Sequence, residues 1–271
     1  MSAQITQRGP ANLITERIVK PDGITVSYSR YGEGPPLVLV HGGFSDHVTN
    51  WQEVASLLQD RFTVYSIARR GRGETSSTQN HSVEDEMSDV AAVLEAVGEP
   101  VFLLGHSYGA VCALGAARLR SEVIRKLVLY EPPSPSMFTA TLMARLEKCA
   151  ESEDWDAMVE TFMLDAVQVP PAEVEAIKNT PFWDVWTVDA KATLNDLRAL
   201  VRHKTDVNRC RTLDFPVLLM IGSESPRDIY LTDALNAVLP NSTIVALEGQ
   251  AHEGMTTAPA QFVEAISNFL K

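Results

Sequence analysis

The sequence is poor in cysteine, in basic charge and in long apolar runs. Among 271 residues there are three cysteines, Cys112, Cys149 and Cys210. They are widely spaced and form no C-x-x-C pair, which excludes a zinc ribbon or a dithiol redox motif. A chain this long buries enough apolar surface to need no disulfide or metal staple. Lys and Arg number 23 against 35 Asp and Glu, a formal charge of -12. Without a basic run, that balance repels phosphate and argues against nucleic acid as a partner. It also weighs against anionic membrane surfaces and favours a neutral or apolar ligand. The longest apolar runs, such as Pro216–Ile221, are too short to span a bilayer. The stretch Met1–Pro21 has no apolar core of the kind a secretory signal needs, so a cytoplasmic protein is expected. Hydrophobic residues make up 45% of the chain, too many for a disordered one.

What is present is alternation. Thr15–Val19 and Ile24–Tyr28 flank Asp22-Gly23 and read as a hairpin. Leu37–Val40, Phe62–Ile67, Val101–Leu104, Leu127–Tyr130, Val217–Ile221 and Thr243–Leu247 read as further strands. Helical spacing separates them, at Trp51–Leu58, Val83–Val97, Ala110–Leu119, Tyr230–Leu239 and Gln261–Leu270. This is the pattern of an α/β fold, a mostly parallel eight-stranded sheet with helices on both faces. Between residues 132 and 211 no strand is legible. Helical spacing appears instead at Leu142–Cys149, Trp155–Phe162, Ala172–Lys178 and Lys191–His203. Prolines bound the block, in Pro132-Pro133-Ser134-Pro135 and at Pro216. Residues 1–132 and 213–271 are therefore expected to form one core. Residues 133–212 are expected to be an inserted helical cap over the C-terminal edge of the sheet, where α/β proteins bind their ligands.

Gly105-His106-Ser107-Tyr108-Gly109 matches G-x-S-x-G between a strand and a helix, the setting of a nucleophile elbow. The helix start behind Ser107 favours developing negative charge. His41-Gly42-Gly43-Phe44 follows an earlier strand, where a loop N–H completes an oxyanion hole with the residue after the nucleophile. The candidate donors are Gly43 or Phe44, together with Tyr108. His252, in a loop between the last strand and the last helix, stands where the order serine, acid, histidine places the general base.

With these motifs the sequence resembles the α/β-hydrolase superfamily over nearly its whole length. Arg69-Arg70-Gly71-Arg72-Gly73-Glu74-Thr75-Ser76 resembles the R-G-x-G-x-S turn these proteins carry after the fourth strand, with Ala68 in place of the usual Asp. The resemblance fails at the acid. Most members place an Asp three residues beyond a glycine after strand seven, and here Ser225 holds that position in Gly222-Ser223-Glu224-Ser225-Pro226. Serine cannot stabilise an imidazolium. Glu131, at the end of strand six, occupies a place where some members carry the acid and is the first candidate. Glu224 and then Asp228 are the alternatives.

The resemblance implies a serine hydrolase that needs no metal and no organic cofactor. Other members use Asp at the elbow to form an alkyl ester; Ser107 instead implies an acyl intermediate. A small to medium, mostly apolar ester or lactone is the expected substrate. Met137, Phe138, Phe162, Trp183 and Trp186, with His41 and His106 inside the motifs, are the candidates to line its pocket. The same triad also serves C–C bond hydrolases and cofactor-free haloperoxidases, and a receptor-like binding protein of weak turnover is the third alternative. The partner is a small molecule, and a homodimer is left open.

Overall fold

The computed structural model describes residues 10, 12–77 and 80–271. Ten of the 21 residues read for a secretory signal, 1–9 and 11, lie outside them. Eight strands form one sheet: β1 (Ile14–Val19), β2 (Thr25–Tyr31), β3 (Pro36–Val40), β4 (Thr63–Ile67), β5 (Val101–His106), β6 (Ile124–Tyr130), β7 (Val217–Gly222) and β8 (Ser242–Leu247). Their spatial order is β1-β2-β4-β3-β5-β6-β7-β8. Only the β1–β2 and β2–β4 pairings are antiparallel; from β4 to β8 all pairings are parallel. β3, β5 and β7 are buried at every residue, as parallel strands covered on both faces must be. Along β3, Val38 and Val40 join one apolar cluster and Leu37 and Leu39 the other, the two-residue period of a strand.

Helix α1 (Gln52–Leu58) packs on one face. On the other lie α2 (Val83–Val97) and α3 (Tyr108–Leu119). A capping box between Ser82 and Asp85 opens α2, and Gly98 closes it in the left-handed conformation at φ 75°, where glycine carries no steric penalty. The chain runs from β3 through α1 to β4 on one side of β3, then returns through α2 to β5 on the other. That reversal leaves a crevice at the C-terminal ends of β3 and β5, the place where such sheets bind ligands.

Between β6 and β7 the described chain forms helices and no strand: α4 (Ala140–Glu151), α5 (Trp155–Thr161), α6 (Pro171–Lys178) and α7 (Pro181–Arg202). Lys191–His203 had the spacing of a separate helix, but it is the second half of the 22-residue α7. The first half, rich in aromatic and β-branched residues, has weak helix propensity and is stabilised by packing. After β7 come α8 (Thr232–Asn236), α9 (Gly254–Thr257) and α10 (Pro259–Leu270). α8 is shorter than the periodicity over Tyr230–Leu239 suggests. Tyr230 is extended, at φ -118° and ψ 154°, and Pro240 disfavours helix at Leu239. α10 covers the α1 face.

The inserted helices share an apolar cluster with the sheet and are also bound to it by buried charge. Arg69 reaches Glu86 on α2 at 3.0 Å and Asp196 on α7 at 2.8 Å. Arg72 reaches Asp189 and Asp196, both at 2.8 Å. His81 Nε2 lies 2.9 Å from Glu86. Desolvation pushes the Asp196 carboxyl up, but the two guanidinium groups outweigh it and hold it below the ordinary aspartate value. Removing one member of such a set strands the other charges in the interior. Asp196→Ala should therefore lose about 3–5 kcal/mol of stability in urea unfolding; an unchanged midpoint would show that the cluster does not hold the inserted helices.

Candidate active site

Ser107 sits in a tight strand-to-helix turn. It follows β5 and opens α3 with φ 53° and ψ -125°, a left-handed φ that is uncommon for a side-chain-bearing residue and costs on the order of 1–3 kcal/mol. Its N–H donates to the Tyr130 carbonyl at 2.8 Å, and its carbonyl accepts from Ala110 N–H at 2.9 Å. The flanking glycines are steric necessities. A Cβ on Gly105 would lie 2.5 Å from the Gly109 carbonyl oxygen, and one on Gly109 would run into the carbonyls of Val40 and His41. Tyr108 is the first residue of α3, so its N–H belongs to the turn that has no partner within the helix. Its hydroxyl donates to Glu86 at 3.1 Å, and the Arg69 guanidinium stacks on its ring at 4.5 Å.

The loop after β3 faces this elbow. Arg69 donates to the His41 carbonyl at 2.9 Å and to the Gly42 carbonyl at 2.7 Å. Phe44 has φ 53°, and its N–H donates to Thr193 Oγ1 on α7 at 2.6 Å. Of the two candidate loop donors, the N–H of Phe44 is thus already engaged.

Glu131 follows β6 at φ 48° with no exposure to solvent. Gly222 N–H donates to its Oε1 at 2.7 Å, and Oε2 lies 2.5 Å from His252 Nδ1. Since a carboxylate accepts, Nδ1 carries the proton and Nε2 is left as the basic nitrogen. Around His252 the loop is pinned. Tyr130 donates to the Ala251 carbonyl and accepts from Gly254 N–H, and His106 Nε2 donates to the His252 carbonyl at 3.1 Å. Tyr230 stacks on the imidazole, with ring centroids 5.5 Å apart and planes 14° from parallel. Desolvation lowers the pKa of His252, but the hydrogen bond and charge of Glu131, with Glu253 behind, leave it above the ordinary histidine value. Glu224 and Asp228 are both exposed; the Glu224 side chain accepts from the Ser223 hydroxyl at 3.1 Å.

Gly43, Ser107, Tyr108 and His252 line one small cavity, with Met137, Phe138, Phe162 and Leu197 among its apolar walls and Thr193 and Asp196 at its polar edge. The other anticipated pocket residues lie apart from it. His41 is buried; its Nδ1 donates to the Gly42 carbonyl and its Nε2 accepts from Arg69 N–H. His106 lies behind His252 and supports its loop. Trp183 donates to Asp156 at 2.7 Å and stacks near Trp186, within the inserted helices. A wider cleft of about 700 Å³, between the turn at Arg70–Gly73 and α7, contains none of Ser107, Glu131 and His252. Two clusters among the described residues have the spacing of metal ligands. In His81, Glu86 and Asp196 the carboxylates are already neutralised by Arg69 and Arg72. In His106, His252 and Glu253 the Nε2 of His106 is taken by a carbonyl.

Sequence spacing gave no sign of Tyr230, Thr193 or Asp196. Each comes to the site from an element more than 20 residues away from the residue it supports.

This chain belongs to the alpha/beta hydrolase family, whose model matches residues 37–265. Among curated proteins it is 28% identical over 130 residues to epoxide hydrolase 4 of Homo sapiens, a match covering 46% of this chain and 36% of that protein. It is 37% identical over 120 residues to the pimeloyl-[acyl-carrier protein] methyl ester esterase of Methylococcus capsulatus, covering 41% and 46%. The chain thus matches less than half the length of these relatives. Among solved structures, an alpha/beta hydrolase from Sphaerobacter thermophilus superposes with a TM-score of 0.82 at 31% identity, over 94% of this chain and 100% of that one. No helix among the described residues is long and apolar enough to cross a membrane.

Phe44 N–H depends on a hydroxyl from α7, so the loop after β3 is held by the inserted helices. Thr193→Val keeps the side-chain shape and leaves that buried donor without an acceptor. A loss of about 1–3 kcal/mol is expected in urea unfolding, largely restored by Thr193→Ser; a Val variant as stable as wild type would contradict the contact.

Proposed function

We propose that the protein is a serine hydrolase of esters or lactones, with Ser107 as nucleophile, His252 as base and Glu131 as the triad acid. The observation that carries this reading is the 2.5 Å contact between the buried Glu131 carboxylate and His252 Nδ1, on a histidine that shares a cavity with an elbow serine. His252 Nε2 removes the Ser107 proton as Oγ attacks the carbonyl carbon. Glu131 holds the imidazole in the required tautomer and stabilises the imidazolium. The oxyanion lies between the N–H groups of Tyr108 and Gly43, because that of Phe44 is engaged by Thr193. The imidazolium then protonates the leaving alcohol. Water, deprotonated by His252, cleaves the acyl-enzyme and frees Ser107.

Residues 133–212 act as a lid on the core formed by 1–132 and 213–271, and the lid sets the acyl pocket. Its walls at Met137, Phe138 and Phe162 suit a compact apolar acyl group. The nearby cations Arg69 and Arg72 are spent on Glu86, Asp189 and Asp196, so neither offers a free counter-ion to a carboxylated substrate. The likeness to an epoxide hydrolase does not carry over, because a serine ether formed by epoxide opening would not be released by water as an ester is.

On p-nitrophenyl esters of short acids, Ser107→Ala should lower kcat by about 10³-fold or more; turnover near wild type would remove Ser107 as the nucleophile. The base must be neutral to act, so kcat/KM should fall with decreasing pH through an apparent pKa above the ordinary histidine value. Glu131→Gln removes the charge that raises it. The acid limb should then move to lower pH while kcat falls, whereas a limb that stays in place would reassign the acid.

A further inference from the structure

Tyr230 is 5% exposed and is fixed by the backbone on both sides. It bridges to Pro133 in an antiparallel contact, and the N–H of Leu231 donates to the Pro132 carbonyl at 2.8 Å. Pro132 and Pro133 directly follow Glu131, so the carboxylate and the phenol are held by one short crossing of two chain segments. The ring lies nearly parallel to the His252 imidazole, and the hydroxyl oxygen is 3.1 Å from Nδ1. Nδ1 already directs its proton to Glu131, which leaves that carboxylate as the acceptor for the phenol proton; burial and Glu131 push the Tyr230 hydroxyl well above the ordinary tyrosine value. The buried carboxylate accepts from Gly222 N–H and His252 Nδ1–H, and the Tyr230 hydroxyl lies beside the second of these donors.

We propose that Tyr230 is a positioning residue for the Glu131–His252 pair, holding the plane of the imidazole by stacking and setting how much of the carboxylate's charge reaches Nδ1. The inference rests on the reading of His252 as the base. An O–H donor stabilises a free carboxylate more than one already paired with an imidazolium. Tyr230 therefore favours the neutral, basic form of His252 and counters the upward pull of Glu131. The titratable groups facing His252 are Glu131 and Tyr130 at the end of β6, His106 at the end of β5, Tyr230 before α8, and its own neighbour Glu253. Burial, aided by Glu131 and opposed by His252, pushes the Glu253 carboxyl up to about 7.

The test compares wild type, Tyr230→Phe and Tyr230→Leu, each also in a Glu253→Gln background. It uses the pH profile of kcat/KM on a p-nitrophenyl ester and an NMR titration of the His252 ring, assigned by its absence in His252→Ala. Tyr230→Phe keeps the stack and loses the hydroxyl. It should raise the His252 pKa, in both readouts and both backgrounds, by up to about one unit. Tyr230→Leu also loses the stack and should lower kcat by about 10- to 100-fold at unchanged KM. A pKa in Tyr230→Phe that is unchanged or lower overturns the proposal. If Tyr230→Leu does not fold, Tyr230→Phe decides alone, with its melting temperature as the control. Should the hydrolase reading itself be wrong, Ser107→Ala would keep its turnover, while the NMR titration would still report on Tyr230.

Discussion

A carboxylate with no access to water fixes the position of everything else in the site. Glu131 stands at the end of a central strand in a left-handed conformation, and an unpaired charge there would be too costly to bury. It is tolerated because its oxygens are hydrogen-bonded by Gly222 from β7 and by His252 from the loop after β8. The carboxylate therefore joins the ends of three neighbouring strands. The strand before it supports Ser107, since the carbonyl of Tyr130 accepts from Ser107 N–H. Residues 130 and 131 thus hold both Ser107 and His252, and a shift in β6 would displace the two together.

A second set of buried charges performs the corresponding task on the other wall of the cavity. Arg69 touches Glu86, Asp196 and the carbonyls of His41 and Gly42, and its guanidinium lies over Tyr108. One side chain thereby links the loop after β3, the elbow residue behind Ser107, α2 and α7. Removing it from water requires full pairing, and the acids of α7 supply that pairing only when the inserted helices are docked. The cavity walls and the loop after β3 are coupled in this way, because Thr193 and Asp196 belong to the same helix.

Much of this was legible in the residues. The turn at residues 105–109, the loop at 41–44 and the segment around His252 each lie within a few consecutive positions, and local spacing carries local geometry. The sheet follows from apolar runs separated by helical periods. Glu131 could be ranked first because it ends a strand and the usual acid position holds Ser225. Other parts depend on contacts between distant segments. Asp196 is 127 residues from Arg69, and nothing in the spacing of either marks the pair. Tyr230 looked like the start of a helix because Leu231 and Leu235 have helical spacing; its extended backbone comes from the bridge to Pro133. Trp183 and Trp186 looked like pocket residues because they are large and apolar, yet an aromatic ring is equally suited to packing helices together, and Trp183 turns its N–H to Asp156.

We propose Ser107 as a nucleophile activated by a histidine held on Glu131. The most direct measurement is peptide mapping by mass spectrometry after brief exposure to a fluorophosphonate, on wild type and Glu131→Gln side by side. One adduct per chain is expected, on Ser107, forming about 10-fold or more slowly in Glu131→Gln. An adduct on another residue, or equal rates in the two proteins, would contradict it.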